Sequence, residues 1–203
     1  MYINFNAASH TTIGLELEIQ TINKSSGELV PGAGLILSQL PGEVLFKPEL
    51  FNSTIEINTP VCESMSEIET HLEQNLQKVR RIAHQHQLDI LISGCHPFSD
   101  WREQQITQQK RYLNLLHRIQ WPVRQFLIFG LHVHIGIDDA DKSIYVMNRL
   151  TNYIPHLIAL SASSPFWNGF DLAWLPAGSR FSRNFPMRVS PITLRTGKCI
   201  AIW

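Results

Sequence analysis

An α+β fold, with an antiparallel sheet backed by helices, is predicted by two observations. Three stretches alternate apolar and polar residues with period two, and one long stretch repeats apolar residues at helical spacing. The alternating stretches are TIGLELEIQ (12–20), NSTIEINTPV (52–61) and QFLIFGLHVHIGI (125–137), and the helical one is SMSEIETHLEQNLQKVRRIAHQHQ (64–87).

In the first strand Leu15, Leu17 and Ile19 point one way, while Glu16 and Glu18 share the opposite face and repel each other. The loops that follow are marked by Pro31-Gly32-Ala33-Gly34 and Pro41-Gly42. The second strand turns Ile55 and Ile57 inward and Thr54, Glu56 and Asn58 outward, and Pro60 ends it. Ser64, three residues before Glu67, forms a capping box, and Met65, Ile68, Leu72, Leu76, Val79 and Ala83 make one apolar stripe. LDILISG (88–94) reads as a short buried strand, and residues 103–119, with Lys110, Arg111 and Tyr112, as a helix. The third alternating strand sets Leu131, Val133 and Ile135 against His132 and His134. Asp138 to Asp141 supply an N-cap for a helix running toward Tyr153; Pro155 interrupts it and HLIALSASSPFW (156–167) resumes it.

Composition bounds the function. The 203 residues, 44% hydrophobic and 17% charged, suit one globular domain. Lys plus Arg equals Asp plus Glu at 17 each, so no basic excess points to a nucleic acid or an anionic membrane, and small molecules are the expected partners. The N-terminus MYINFNAASHTT lacks a signal-peptide pattern and no apolar run approaches the roughly 20 residues of a spanning helix. A cytoplasmic location is the default expectation; oligomeric state is not indicated. Cys62, Cys95 and Cys199, odd in number and widely spaced, are expected as reduced, buried thiols.

The three strands share one design, an apolar face for helices and an opposite face carrying Glu16 and Glu18, Glu56, or His132 and His134. Each piece alone also fits a solvated sheet face. Together they predict a divalent-metal site whose mostly oxygen ligands favour magnesium or manganese over zinc. Two other readings stay open: a metal-dependent hydrolase with zinc on His132 and His134 and Glu16 or Glu18 nearby, and a non-catalytic remnant.

GLELE (14–18), PELFNSTIEINTPVC (48–62), SGCHPFSDW (93–101), RY (111–112), FGLHVHIGI (129–137) and LIALSASSPFWNGFD (157–171) occur in colinear order and resemble the type 2 glutamate-cysteine ligases, the carboxylate-amine ligase family. The resemblance implies a glutamine-synthetase-like antiparallel sheet backed by helices, its concave face holding metal ions and ATP, of which this chain carries the N-terminal portion. It implies phosphorylation of the glutamate side chain by ATP, then displacement of phosphate by an amine, typically that of cysteine, with weak activity toward cysteine. By motif position Glu16 and Glu18 look like metal ligands, Glu49 and Glu56 like the acidic pair of the next strand, and His132 like an imidazole ligand or phosphate contact. His134 and Arg111 are further candidates for contacts to nucleotide or an anionic substrate. The cofactors implied are ATP and Mg2+, with Mn2+ as a substitute. The absence of a glycine-rich P-loop suits nucleotide on a sheet face.

The resemblance by motif stops at Asp171. Leu172 to Gly178, regrouped from each third codon base, permit Gly-Leu-Ala-Ser-Cys-Arg; Met187-Arg188-Val189 regroup to Ala-Gly, and Thr196 to Ile200 permit Trp-Glu-Met-Tyr, matching how relatives continue. The expectation is a single-base deletion after Asp171. Residues 1–171 would then be the N-terminal portion of the catalytic domain, 172–203 an out-of-frame tail, and this chain a truncated, inactive ligase.

Overall fold

In the computed structural model, residues 5–171 are described. The tail from Leu172, with its expected change of reading frame and Cys199, lies outside the described residues.

The central strand is β1 (Thr12–Asn23), whose length lets it serve several neighbours. On one side it pairs antiparallel with β3 (Thr54–Asn58), which in turn pairs with β2 (Phe46–Pro48). Its other side is shared: Thr12 to Leu17 pair with β5 (Leu131–Gly136), and Gln20 to Asn23 with β4 (Leu88–Leu91). All pairings in this sheet are antiparallel, as expected.

Behind the sheet lie α1 (Ala33–Ser38) and α2 (Met65–Gln85). Alternation sends Leu15, Leu17, Ile19, Ile55 and Ile57 to this side, where they meet Ile36, Ile68, Val79 and Ala83. Ile19, Ile36, Ile55, Ile57 and Val79 are completely buried, and each contributes about 1.5–3 kcal/mol of transfer free energy. The Ser64 hydroxyl accepts from the Glu67 N–H at 3.3 Å, and the Glu67 carboxylate accepts from the Glu63 N–H at 3.0 Å, so the reciprocal bond of the expected capping box falls one residue early.

Several expectations change. The helix expected over 103–119 begins only at Lys110 (α3, Lys110–Ile119). Asp100 caps a single 3-10 turn, Trp101–Glu103, after which the chain is extended and bonds laterally: Asn52 N–H to Gln105 O, Thr107 N–H to Leu50 O. Those tertiary bonds replace the helical ones, so lateral pairing overrides local propensity. The interruption expected at Pro155 falls slightly earlier: the helix ends at Leu150, a 3-10 turn spans Thr151–Tyr153, and Pro155 occupies the first turn of α6 (Ile154–Leu160), where its missing N–H costs nothing. The preceding helix, α5, spans Ala140–Leu150 and is capped by Asp139, which accepts from the Lys142 N–H. The end of the segment expected to be helical, Phe166–Trp167, is instead β6, paired with β7 (Phe170–Asp171) through Asn168 and Gly169 at φ 48° and 77°, the left-handed pair a tight hairpin needs. α1, β2, the four-residue α4 (Trp121–Arg124) and the β6–β7 hairpin carried no periodic signal long enough to read. β4 is half-buried rather than buried. Leu131, expected on a packed face, is 51% exposed.

Candidate active site

Strand register assembles the polar face. Glu18 stands directly opposite Glu56, and Glu16 lies between Asn58 of β3 on one side and His132 of β5 on the other. His134 is one pleat further, opposite Gly14. Lys47 of β2 faces Glu56, and Glu49 follows two residues later, so β2 extends the row. The sequence-predicted residues Glu16, Glu18, Glu49, Glu56, His132 and His134 therefore come together on the side of the sheet opposite the helices.

Each carboxylate has a distinct set of partners. Both imidazoles reach Oε2 of Glu16, His132 through Nδ1 at 3.1 Å and His134 through Nε2 at 3.2 Å. Oε1 of Glu56 accepts from Lys47 Nζ at 2.8 Å and Asn58 Nδ2 at 2.7 Å. Glu49 accepts from the Leu50 N–H at 3.1 Å and stands 3.5 Å from the Arg111 guanidinium. Glu18, at the centre, accepts from the Gly130 N–H at 2.8 Å, while its own N–H donates to Gly130 O at 2.9 Å. Arg111 also donates to Pro48 O and lies over the Tyr112 ring, which fixes its otherwise exposed head beside the row.

Crowding of like charge shows in the protonation equilibria. Burial, then the charges of Glu18 and Glu56, pushes the Glu49 carboxyl up to about 7. Burial raises Glu18 as well, with Glu56 and Glu16 adding to the rise against the Gly130 bond and His132. Burial acts upward on Glu56 too, but the Lys47 ammonium, Asn58 and Glu49 outweigh it and leave that carboxyl below its usual range.

The donor set, four carboxylates beside two imidazoles, fits a hard divalent cation by its chemistry, and the charges of Glu18 and Glu56 add to burial in raising Glu49. Among the described residues no three of these side chains form a closed ligand cage. The partners explain this: Lys47 holds Glu56, Arg111 lies beside Glu49, and the imidazoles hold Glu16.

Three participants escaped the sequence reading. Lys47 was legible in principle, because the i, i+2 spacing puts it on the face of Glu49. Asn58 had been placed on the polar face without a role. Gly130 offers only its backbone, and a Cβ there would stand 2.7 Å from His132 Nε2.

Residues 12–195, continuing past the Asp171 edge of the motif resemblance, match the profile of glutamate-cysteine ligase family 2. A curated protein of Thermobifida fusca named "Putative glutamate--cysteine ligase 2" is 38% identical over 177 residues, 84% of this chain and 44% of that protein. A Frankia casuarinae protein named "Putative glutamate--cysteine ligase 2-1" is 39% identical over 200 residues, 96% of this chain and 52% of its own length. This chain thus spans about half the length of the curated relatives it matches. The solved glutamate-cysteine ligase of Francisella tularensis, in complex with AMP, superposes with a TM-score of 0.50 at 15% identity, covering 75% of this chain and 32% of that one, which shows a shared fold. With a family profile matched across most of its length and a carboxylate-bearing antiparallel sheet to go with it, the chain belongs to glutamate-cysteine ligase family 2.

Proposed function

We propose that this polar sheet face is the cation and nucleotide portion of the active site of an ATP-dependent carboxylate-amine ligase. The observation that carries the reading is the register bringing Glu16, Glu18, Glu56 and His132 onto one face, with Glu49 adjoining. In this reading glutamate's side-chain carboxylate takes the γ-phosphoryl group of ATP, and an amine, that of cysteine or another small molecule, displaces phosphate from the γ-glutamyl phosphate to form an amide. Two anions must approach each other, so charge neutralisation is the central need. Magnesium, or manganese in its place, would be held by Glu16, Glu18, Glu49, Glu56 and His132 and would supply Lewis-acid neutralisation of the phosphates. The Gly130 N–H keeps Glu18 aimed into the row, and the two imidazoles keep Glu16 in place. Arg111 and His134 are placed to meet phosphate or substrate carboxylate oxygens. The ligands are small molecules in a soluble, cytoplasmic setting; no helix among the described residues is long and apolar enough to cross a membrane.

The activity belongs to a protein with the full length of the relatives. Such a protein is expected to release phosphate from ATP only with magnesium, glutamate and an amine together, and Glu16→Gln should cut turnover by about 10²-fold or more. Turnover of that variant near the wild-type rate would remove Glu16 from the site. For the 203-residue chain alone we expect cation binding without ligation. Zinc retained through mild purification would instead favour a hydrolase built on His132 and His134. The out-of-frame reading of the tail is decided by the coding sequence: if one base restored after Asp171 does not open Thr-Gly-Leu-Ala-Ser, it is wrong.

A further inference from the structure

We propose that Lys47 is the resident counter-ion of this site: it occupies Glu56 until a divalent cation displaces it, and the released ammonium then meets the anionic ligand. The inference rests on the ligase reading above and goes beyond it by assigning a role to a residue outside the matched motifs. Lys47 and Glu56 are cross-strand partners, so both side chains emerge on the polar face, and Nζ lies 2.8 Å from Oε1. The Glu56 side chain is 12% exposed and the Lys47 side chain 46%. The carboxylate is thus sunk in the row while the ammonium stands at its rim, free to swing on a four-carbon stem. A cation that recruits Glu56 must break this pair, and Lys47 is then left beside the row without its carboxylate. An oxyanion arriving with or after the cation restores its partner. Arg111 and Glu49 repeat the arrangement more loosely at 3.5 Å.

The exchange makes cation and polyphosphate binding interdependent through the protein, beyond their affinity for each other in solution. Removing the ammonium should tighten the cation, and removing the carboxylate should tighten the anion, since both lose a competitor.

Two titrations on the full 203-residue chain test this. Binding of Mn2+ alone, followed by the paramagnetic resonance of the free ion, should tighten about fivefold or more in Lys47→Met. Lys78→Met is the control, because Lys78 forms an equally short pair with Glu43 away from the sheet face, and it should leave Mn2+ affinity unchanged. In EDTA, binding of inorganic tripolyphosphate, read by calorimetry, should tighten about fivefold in Glu56→Gln. Unchanged or weaker Mn2+ binding in Lys47→Met, an equal gain in Lys78→Met, or unchanged tripolyphosphate binding in Glu56→Gln overturns the role of Lys47 while leaving the cation site standing. Absence of Mn2+ binding from both wild type and Lys47→Met overturns the cation-site reading and Lys47's role together.

Discussion

Two regions of the described chain, β1 through α2 and the segment from α5 onward, handle their apolar residues in opposite ways. From β1 through α2 the sheet and two helices enclose a continuous core, with Ile19, Ile55, Ile57, Ile36 and Val79 wholly buried. From α5 onward, α5 and α6 bury no residue completely, and Ile144, Tyr145, Tyr153, Ile158, Leu160, Phe166 and Phe170 are exposed. Between them a second buried cluster, in which Ile106, Tyr112, Leu127 and Phe129 meet Leu29 and Phe51, leads into β5, which supplies His132 and His134 and is held by β1 across six registered pairs. The first region provides both the rigid support and the carboxylates, and β5 brings the imidazoles to it on a single strand.

The largest effect that could break this contrast is a cavity in the first region. Ile55→Ala should cost about 2–5 kcal/mol, the usual range for truncating a fully buried branched side chain. Ile144→Ala, on the exposed α5 surface, should stay within about 0.5 kcal/mol. Urea unfolding of both variants measures the two, and comparable losses would show that the two regions are equally well packed. Next in size is Gly130→Ala, where the chain entering β5 bonds β1. The added Cβ would sit 2.7 Å from His132 Nε2, and shifting that buried ring or the strand should cost about 1–3 kcal/mol. A proton–nitrogen NMR spectrum should show the His132 signals moved and its bond to Glu16 lost; unmoved signals would mean the ring has room. Ser64→Ala removes the side-chain acceptor at the start of α2 and should cost about 1 kcal/mol, read as a lower thermal midpoint.

How much was legible follows the same division. Alternation in 12–20 and 52–61 identified the strands, their buried faces and the carboxylate row, because both strands face a real core and period two has one physical meaning there. The helix at 65–85 was legible from its stripe and cap. The stretch 104–109 was misread because its backbone bonds go to residues 49–52, a partner no local pattern announces. Leu131 was misread because alternation specifies a face but not whether anything covers it. In the site, carboxylates and imidazoles were visible by type. Gly130 was not, since a backbone N–H carries no side-chain signature, and the Lys47 pair depends on β2, three residues long and too short for periodicity.

The smallest expected effect lies at the seam between the two regions and appears only in acid. The loop after β4 ties them together: Leu29 N–H donates to Ser99 Oγ on one side, and Cys95 N–H donates to Ser164 Oγ and Gly169 N–H to Pro97 O on the other. At its centre His96 is buried, its Nδ1 accepting from the Ser99 N–H at 3.0 Å, which leaves Nε2 to donate to Gly27 O at 2.9 Å. The backbone thus fixes the neutral Nε2–H tautomer, and protonation would place a second N–H against the Ser99 N–H. Burial lowers this imidazole below its usual value, against the smaller opposing effect of the Gly27 bond. Because the folded state disfavours the proton, the stabilisation is fully present above the unfolded pKa of about 6.5 and is lost as pH falls through the lower folded value. Unfolding followed from pH 7.5 to 5 should show this loss, and His96→Gln, neutral at every pH, should flatten that part of the profile while being less stable at pH 7.5. An unchanged acid slope in His96→Gln would show that the seam does not depend on a neutral His96, and would move its pH sensitivity to another group.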